Sequence, residues 1–525
     1  MSLQWQLSRT VPEDTAQIGQ TILAPHNVYR QIGDRFDQIF PDEQVFAHLY
    51  DTQGRGAIPP LLLALVTVFQ MLEKVPDRTA AEFVASRIDW KYALHLPLTY
   101  PGFHFTDLYA FRTRLLEHGQ ERLVFDQLLV RMKELGLIKP KGKVRSDATH
   151  VLAVVERLSQ LELVTESLRV ALQAVLQAAP KWVKTALPAA FLDRYERRQS
   201  EYGLSQTQVQ EKLGQAGKDA FWFLVQIDRS APEAIRHLSE VETLRTVLAQ
   251  QFPKGPSGPP AQRRPTGGEV IESPHEPEAR YGKKRGKTWL GYKAQVTETC
   301  DDEQPHLIVD LEPTGALDND SPELPKIQAR LAEQGVLPAE QYVDQGYMSA
   351  QHLVESQQQG IDLVGVPLAD TQGPSGFRQT DFQIDEAAKQ ATCPAGQKSR
   401  VWSEKEVPEA PQPQVQIRFD AAGCQRCAFF GQCTASPQGR SLTLSPYREA
   451  LHQRRAEVET DAFREKLHRR AGIEATISEL VRGYQFRKAR YRGLAKLGLQ
   501  AYFTALAVNL KRLSRWWAQT ETALT

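Results

Sequence analysis

The sequence has little net charge, few cysteines and no long apolar run. Its 525 residues include 64 Lys or Arg, 63 Asp or Glu and five cysteines. Five cysteines exclude a disulfide scaffold, and an odd number fits a reducing compartment. The most apolar stretch, Ile58–Met71, has 14 residues and two prolines, whereas a helix needs about 20 residues to cross a bilayer. The amino terminus lacks an apolar signal core, so we expect a cytoplasmic protein without a membrane partner.

The near-zero net charge hides an uneven distribution. The total of +1 argues at first against a nucleic-acid-binding protein, which is usually basic. However, residues 301–390 contain 17 acidic and four basic residues, whereas residues 480–520 contain nine basic and no acidic ones. This segregation favours a nucleic-acid ligand. The composition, with 41% apolar and 24% charged residues, is that of a globular protein and excludes a disordered chain or a fibre.

The hydrophobic patterns divide the chain into segments. Residues 1–140 have apolar positions at helical spacing, which predicts an all-α domain, either a plain helical bundle or a helix-turn-helix DNA reader. Strand patterns occur at 142–149, 288–299, 306–314, 341–344 and 361–366, with a helix at 322–334 between the third and fourth. The predicted boundaries are a first strand in 141–151, a mostly helical insertion with a Pro/Gly-rich linker in 152–270, the remaining strands in 271–369, an irregular Cys-rich insertion in 370–445 and carboxyl-terminal helices in 446–518. This order predicts an α/β fold whose sheet is interrupted by two insertions.

Three acidic residues occupy positions that suggest a metal site. Asp147 is expected at the end of the first strand, Asp344 at the end of the fourth and Glu474 on a helix. Each alone is typical of a turn former or a solvated helix. Together, two adjacent strand ends and a facing helix would bring three carboxylates to one point, where they would bind Mg²⁺ or Mn²⁺.

At these residues the chain resembles the DDE transposases of bacterial insertion sequences. The matching motifs are Ser146-Asp147-Ala-Thr149, Asp344-Gln-Gly-Tyr347, Arg470-x-x-x-Glu474, Gly483 to Gly493, Asn509-Leu-Lys-Arg512, Arg280-Tyr-x-Lys-Lys, Trp289-x-Gly-Tyr-Lys293 and Phe111-Arg-x-Arg114. The resemblance implies an RNase H-like core, a mixed five-stranded sheet flanked by helices, with an amino-terminal helical DNA-binding domain.

The third motif departs from one branch of the family. That branch carries Tyr-x2-Arg-x3-Glu-x6-Lys around its glutamate. Arg470 and Glu474 fit, but Leu467 stands at the tyrosine position and Val481 at the lysine position, with Arg482 beside it. Glu479 and Asp320 are competing candidates for the third carboxylate.

The resemblance also implies an activity. Asp147, Asp344 and Glu474 would hold two Mg²⁺ or Mn²⁺ ions and cleave transposon ends, which are then joined to target DNA. The partners would be double-stranded DNA, as terminal inverted repeats and target, and a second copy of the chain in the DNA complex. The alternatives are a metal-dependent nuclease that does not transpose, and a domesticated or inactive DNA-binding protein.

Four cysteines form a second candidate metal site. Cys424, Cys427 and Cys433 follow Cys393 within 41 residues, whereas Cys300 stands alone. Four thiolates are the ligand set of a structural zinc site, and the surrounding segment has little apolar content for a core of its own. A loop with free thiols or a redox-active pair is the alternative.

Basic residues near Glu474 are candidates for phosphate contacts, because such contacts supply salt-dependent affinity for DNA. A solvated basic helix face is the alternative interpretation. The candidate DNA-binding residues are Arg470, Arg482, Arg487, Lys488, Arg490, Arg492, Lys283, Lys284 and Arg285.

Overall fold

The computed structural model describes residues 2–3, 6–256, 258, 260–261, 267–284, 286–369 and 372–524. Arg285, one of the candidate DNA-binding residues, and part of the Pro/Gly-rich linker therefore lie outside the described residues. Within the described part of the chain, no helix is both long and apolar enough to span a membrane.

The amino-terminal segment is all-α, as predicted. Its central helix is almost wholly buried; it begins with Pro60, which suits a first helical turn, and is followed by Lys74 in the left-handed conformation. The helix that begins at Thr106 has Phe105 as its cap residue. The helices are α1 (Glu13–Ile22), α2 (Val28–Asp34), α3 (Phe36–Ile39), α4 (Pro60–Glu73), α5 (Asp77–Ser86), α6 (Ile88–Ala93), α7 (Thr106–Glu117) and α8 (Leu123–Glu134), with a 3₁₀ helix at Glu43–Leu49.

A mixed sheet of six strands forms the centre of the fold, which confirms the predicted α/β class. The strands are β1 (Lys143–Leu152), β2 (Arg280–Lys284), β3 (Lys287–Thr299), β4 (Ile308–Gly315), β5 (Glu340–Val343) and β6 (Asp362–Val364). Their order is β4, β3, β1, β5, β6; β3 is antiparallel to β1 and β4, whereas β5 is parallel to β1 and β6. The sixth strand, which we did not expect, is β2, formed by the basic segment that precedes β3.

Strand β1 is longer than the sequence suggests. Asp147 was expected at its end, but pairing with β3 continues to Leu152 opposite Gly291. Gly291 has a φ of 151°, and a side chain there would overlap the carbonyl oxygen of Val151. The close approach of the two backbones therefore extends β1, and Asp147 lies in its middle.

The segment after β1 folds around a hydrophobic core of its own. Side chains between Leu158 and Phe252 form this core, separate from the one beneath the sheet. Capping boxes at Ser159 and Ser205 begin the two longest helices of this segment. The helices are α9 (Gln160–Ala178), α10 (Pro180–Ala186), α11 (Ala189–Tyr195), α12 (Gln206–Ser230), α13 (Glu233–Arg236) and α14 (Ser239–Gln251).

Helices cover both faces of the sheet. On one face, Gln328 of α15 (Glu323–Glu333) donates to Gln341 of β5 and to Ser356 of α16 (Ala350–Gln358). The Gln341 amide in turn donates to Ser146 of β1. Since successive side chains of a strand point to opposite faces, Asp147 points to the other one.

The carboxyl-terminal segment is helical but interrupted. Its helices are α18 (Arg448–Val458), α19 (Asp461–Leu467), α20 (Gly472–Ser478) and α21 (Leu494–Leu524), and α20 is flanked by the 3₁₀ helix His468–Ala471 and the π-helix Glu479–Gly483. Residues 484–493, between the predicted carboxyl-terminal helices, are not helical. There Gln485 has a positive φ, and the backbone of 487–489 bonds to Leu152 at the end of β1. Helix α20 packs on β1 and β3, and α21 lies against β4.

The Cys-rich segment is more ordered than the sequence suggests. Val415, Ile417 and Phe419 alternate along one strand and bury their side chains against Leu442 and Leu444. The prediction of an irregular segment without a core is therefore wrong, because short alternating strands supply one. Its elements are β7 (Gln383–Asp385), β8 (Gln390–Thr392), β9 (Ser399–Lys405), β10 (Gln414–Phe419), α17 (Ala421–Gln425) and β11 (Ser441–Leu444).

Candidate active site

Two aspartates are brought together by strand register. In the parallel pair of β1 and β5, Ser146 lies opposite Val343. Asp147 and Asp344 each follow by one residue, and neighbouring strands are about 4.8 Å apart. A pairing across almost two hundred residues thus places the two carboxylates side by side.

The Asp147 carboxylate lies in a negative environment. Burial raises its pKa, and the nearby Asp344 carboxylate raises it further, whereas the Ala148 N–H, Lys284 and Arg470 act in the opposite direction. The side chain is 16% exposed, and Arg470 Nη1 is 3.7 Å from its Oδ2. Two neighbouring carboxylates, one of them paired loosely with Arg470, form a place where an additional cation is favourable.

Asp344 is held by the turn that follows β5. Its side chain accepts a hydrogen bond from the Gln345 N–H at 2.8 Å, which begins the 3₁₀ helix Gln345–Tyr347. Tyr347 is fully buried and its hydroxyl donates to Gln295 of β3. Burial raises the Tyr347 pKa well above its usual value, and the carboxylates of Asp320, Asp147 and Asp344 add to this. The tyrosine therefore anchors the turn that carries Asp344.

Glu474 lies on α20, with its side chain exposed. Arg470 precedes it by one helical turn on the same side of the helix. Within the described residues, no group of three or more His, Cys, Asp or Glu is arranged to hold a metal ion. The structure thus joins two of the predicted carboxylates and places the third on the helix that packs on β1.

The two competing acids have other partners. Glu479 accepts two hydrogen bonds from Arg512, at 3.0 and 2.7 Å. Asp320 lies 3.4 Å from Lys293 Nζ, beside the turn that follows Asp344.

The candidate DNA-binding residues divide into two groups. Arg487 donates to the His150 carbonyl oxygen, and Arg490 donates to the Val75 carbonyl oxygen at 2.7 Å. These two guanidinium groups thus serve internal contacts. Arg470 approaches Asp147, and Arg285 lies outside the described residues. The remaining five have exposed side chains without an ion-pair partner among the described residues: Lys283, Lys284, Arg482, Lys488 and Arg492.

Comparison with known families gives two matches. A family model described as "Transposase domain (DUF772)" matches residues 18–114, and one described as "Transposase DDE domain" matches residues 392–514. Together, the two matches support a DDE transposase of an insertion sequence. The second match includes Glu474 and all four clustered cysteines, whereas Asp147 and Asp344 lie outside both. No curated protein and no solved structure matches the transposase.

The four clustered cysteines of the transposase line one small cavity, together with Phe377 and Phe419. All five cysteines, including buried Cys300, are free thiols. Burial raises the pKa of Cys433, and the other three clustered cysteines add to this, whereas Arg440 lowers it. Their convergence from a β-hairpin, a helix and a loop agrees with the spacing noted in the sequence.

Sequence reasoning missed a histidine near the basic residues of the transposase. His150 stacks on Trp289 with ring centroids 5.0 Å apart. Burial, together with the positive charges of Arg487, Lys284 and Lys287, lowers the His150 pKa to about 4. The alternation of β1 places His150 on the face opposite to Asp147, but only the pairing of β1 with β3 reveals Trp289 as its neighbour.

Proposed function

We propose that this transposase cleaves DNA at the ends of a mobile element and joins the ends to target DNA, using Asp147, Asp344 and Glu474. The observation that carries the proposal is the register that sets Asp147 beside Asp344. The family matches support the activity class.

The strand order supports an RNase H-like core. Three antiparallel strands, β4, β3 and β1, continue into two parallel strands, β5 and β6. In this arrangement the first and fourth strands of the core are neighbours, and each supplies one aspartate. The proposed domains keep the predicted boundaries at 1–140, 141–151, 152–270, 271–369, 370–445 and 446–518.

The carboxylates fit divalent ions. Asp147 and Asp344 offer oxygen ligands at matching register on neighbouring strands, and Arg470 Nη1 lies 3.7 Å from Asp147 Oδ2. Glu474 would complete the set from α20. When bound, two Mg²⁺ or Mn²⁺ ions would activate the attacking water or 3′-hydroxyl and stabilise the leaving oxygen. Arg470 would hold a DNA phosphate next to the carboxylates once metal has replaced it at Asp147.

Exposed basic side chains would position double-stranded DNA. Lys284 and Lys488 lie near the end of β1, on β2 and in the 484–493 segment. We assign phosphate contacts to these and to Lys283, Arg482 and Arg492. Arg487 and Arg490 are left out because their guanidinium groups have internal partners. We further propose that two copies act together on the two element ends.

We also propose that Cys393, Cys424, Cys427 and Cys433 bind one structural Zn²⁺. They line a common cavity, and four thiolates satisfy a tetrahedral zinc without an open position.

The test is cleavage by an Asp344→Asn variant, with Mg²⁺, on plasmid DNA that carries the sequences on both sides of the gene. We expect cleavage to fall about 10³-fold or more, since a lost metal ligand removes several kcal/mol of transition-state stabilisation. Asp193→Asn, at an exposed position in the helical insertion, is the matched control. Cleavage by Asp344→Asn within about tenfold of the parent would overturn the assignment, and cleavage without joined products would identify a nuclease.

A further inference from the structure

A buried ion pair links β1 to β3 directly behind α20. Arg145 and Glu298 face each other in register, with Arg145 Nε 2.7 Å from Glu298 Oε1. The Glu298 side chain is fully buried. Arg145 and Asp147 are two residues apart on the same strand and therefore share the face on which α20 packs.

The same ion pair holds α20 by several bonds. Arg145 Nη1 donates to the Arg469 carbonyl oxygen at 3.0 Å, just before the helix begins. Thr476 Oγ1 donates to Glu298 Oε2 at 2.6 Å. Both α20 and its preceding turn are thus tied to β1 and β3.

Helix α21 contributes Arg512 to the same network. Arg512 donates to Glu298 Oε2, to Thr476 Oγ1 and to Glu479 Oε2, each at 2.7 Å. Thr476 is 2% exposed. Its hydroxyl therefore both donates and accepts inside a network from which water is largely excluded.

A glycine allows the helix to lie this close. A side chain at Gly472 would overlap the Arg145 guanidinium group. Gly472, Thr476 and Glu479 share one side of the helix, whereas Arg470 and Glu474 lie roughly 160–200° around the axis from Gly472. The network thus holds the side of α20 that packs on the sheet, and Glu474 lies on the other side of the helix.

We propose that Arg145, Glu298 and Thr476 are positioning residues that fix α20 on β1 and so set where Glu474 stands relative to Asp147 and Asp344. This inference rests on the proposed role of Glu474. Glu474 itself has an exposed side chain, so its place depends on how the other side of its helix is held. Buried ion pairs give little net stability compared with apolar packing, whereas their directional bonds fix geometry.

The test compares Thr476→Val with Thr476→Ser. Valine keeps the shape but removes the hydroxyl, whereas serine keeps both hydrogen bonds. With Thr476→Val we expect the cleavage kcat to fall about 10–100-fold, as is typical for residues that orient metal ligands. The Mg²⁺ concentration for half-maximal cleavage should rise, and the Kd for element ends should stay unchanged. Thr476→Ser should retain the parent kcat within about threefold.

Two further variants keep the test independent of folding. Gly472→Ala should give the same kinetic signature, because the added methyl group displaces the helix from Arg145. Arg330→Met removes two bonds to Asp310 on the other sheet face and should lower stability without changing the Mg²⁺ dependence. The proposal is wrong if Thr476→Val and Gly472→Ala keep the parent kcat and Mg²⁺ dependence, or if Thr476→Ser is as impaired as Thr476→Val.

Glu474→Gln in the same assay separates this inference from the proposed function. If Glu474→Gln is inactive and Thr476→Val is fully active, the positioning role is refuted and the proposed function stands. A fully active Glu474→Gln refutes the role of Glu474 and, with it, the positioning of that residue.

Discussion

Replacing Asn509 with leucine should destabilise the protein strongly but leave its affinity for DNA unchanged. Asn509 lies on α21 and forms two hydrogen bonds with the backbone of Ile308, at the edge of β4 that is not paired with β3. Its Oδ1 accepts from the Ile308 N–H and its Nδ2 donates to the Ile308 carbonyl oxygen, both at 2.8 Å. Asn509 and Ile308 are fully buried. Leucine has a similar size but can make neither bond.

The magnitude follows from the two backbone groups left without partners. An unpaired buried donor or acceptor costs about 1–3 kcal/mol, so the pair should cost about 2–6 kcal/mol. Such a loss is a large share of the about 5–15 kcal/mol that stabilises a typical native protein. Asn509→Asp, which keeps only the acceptor and buries a charge, should also be destabilised.

Urea unfolding followed by circular dichroism measures the effect as a shift of the midpoint at constant slope. Gln519→Leu, at an exposed position of the same helix, should change stability by no more than about 0.5 kcal/mol. An Asn509→Leu variant that loses less than about 1 kcal/mol would show that the edge of β4 does not need these hydrogen bonds. Its folded fraction should bind element ends with the parent affinity, because Asn509 is buried.

Three further outcomes are expected. Burial raises the pKa of Glu43 to about 7 from 4.5, so its stabilising contribution is complete below pH 4.5 and is lost as the pH rises through 7. In urea unfolding at pH 8, the Glu43→Gln variant should not show this loss of about 3 kcal/mol. A variant whose stability depends on pH as the parent's does would contradict the prediction. Lys488→Ala should reduce the slope of log K for binding to element ends against log salt concentration by about 1. Arg490→Ala should leave this slope unchanged, because the Arg490 guanidinium group bonds to Val75. Equal slopes in both variants would refute the division into DNA-binding and internal basic residues. Cys433→Ser should lower the zinc content of purified protein and the thermal stability of the Cys-rich segment, and parent zinc content in this variant would exclude Cys433 as a ligand.

The α/β class and most strands were predictable from sequence, because apolar alternation and turn residues are local signals. The neighbouring positions of Asp147 and Asp344 rest on pairing between β1 and β5, which no local pattern encodes. The extension of β1 beyond Asp147 likewise depends on Gly291, far along the chain.

Charge patterns were less informative about role. Arg487 and Arg490 lie in a run of basic residues, yet the structure uses both guanidinium groups as internal donors. Composition reveals a positive charge but not its partner. The same holds for Arg512, whose motif suggested the family and whose contacts are to Glu298 and Glu479.

The insertion of α9–α14 between β1 and β3 has a consequence for synthesis on the ribosome. The strand that carries Asp147 emerges long before β3 and β5, its neighbours in the sheet, and Glu474 follows later still. At about 5–20 residues per second, on the order of half a minute separates the translation of Asp147 from that of Glu474. During that interval the inserted helices, with a core of their own, can fold on the nascent chain. Prematurely terminated chains that end before α20 would lack Glu474, so the proposed catalytic set would be assembled only near the end of translation.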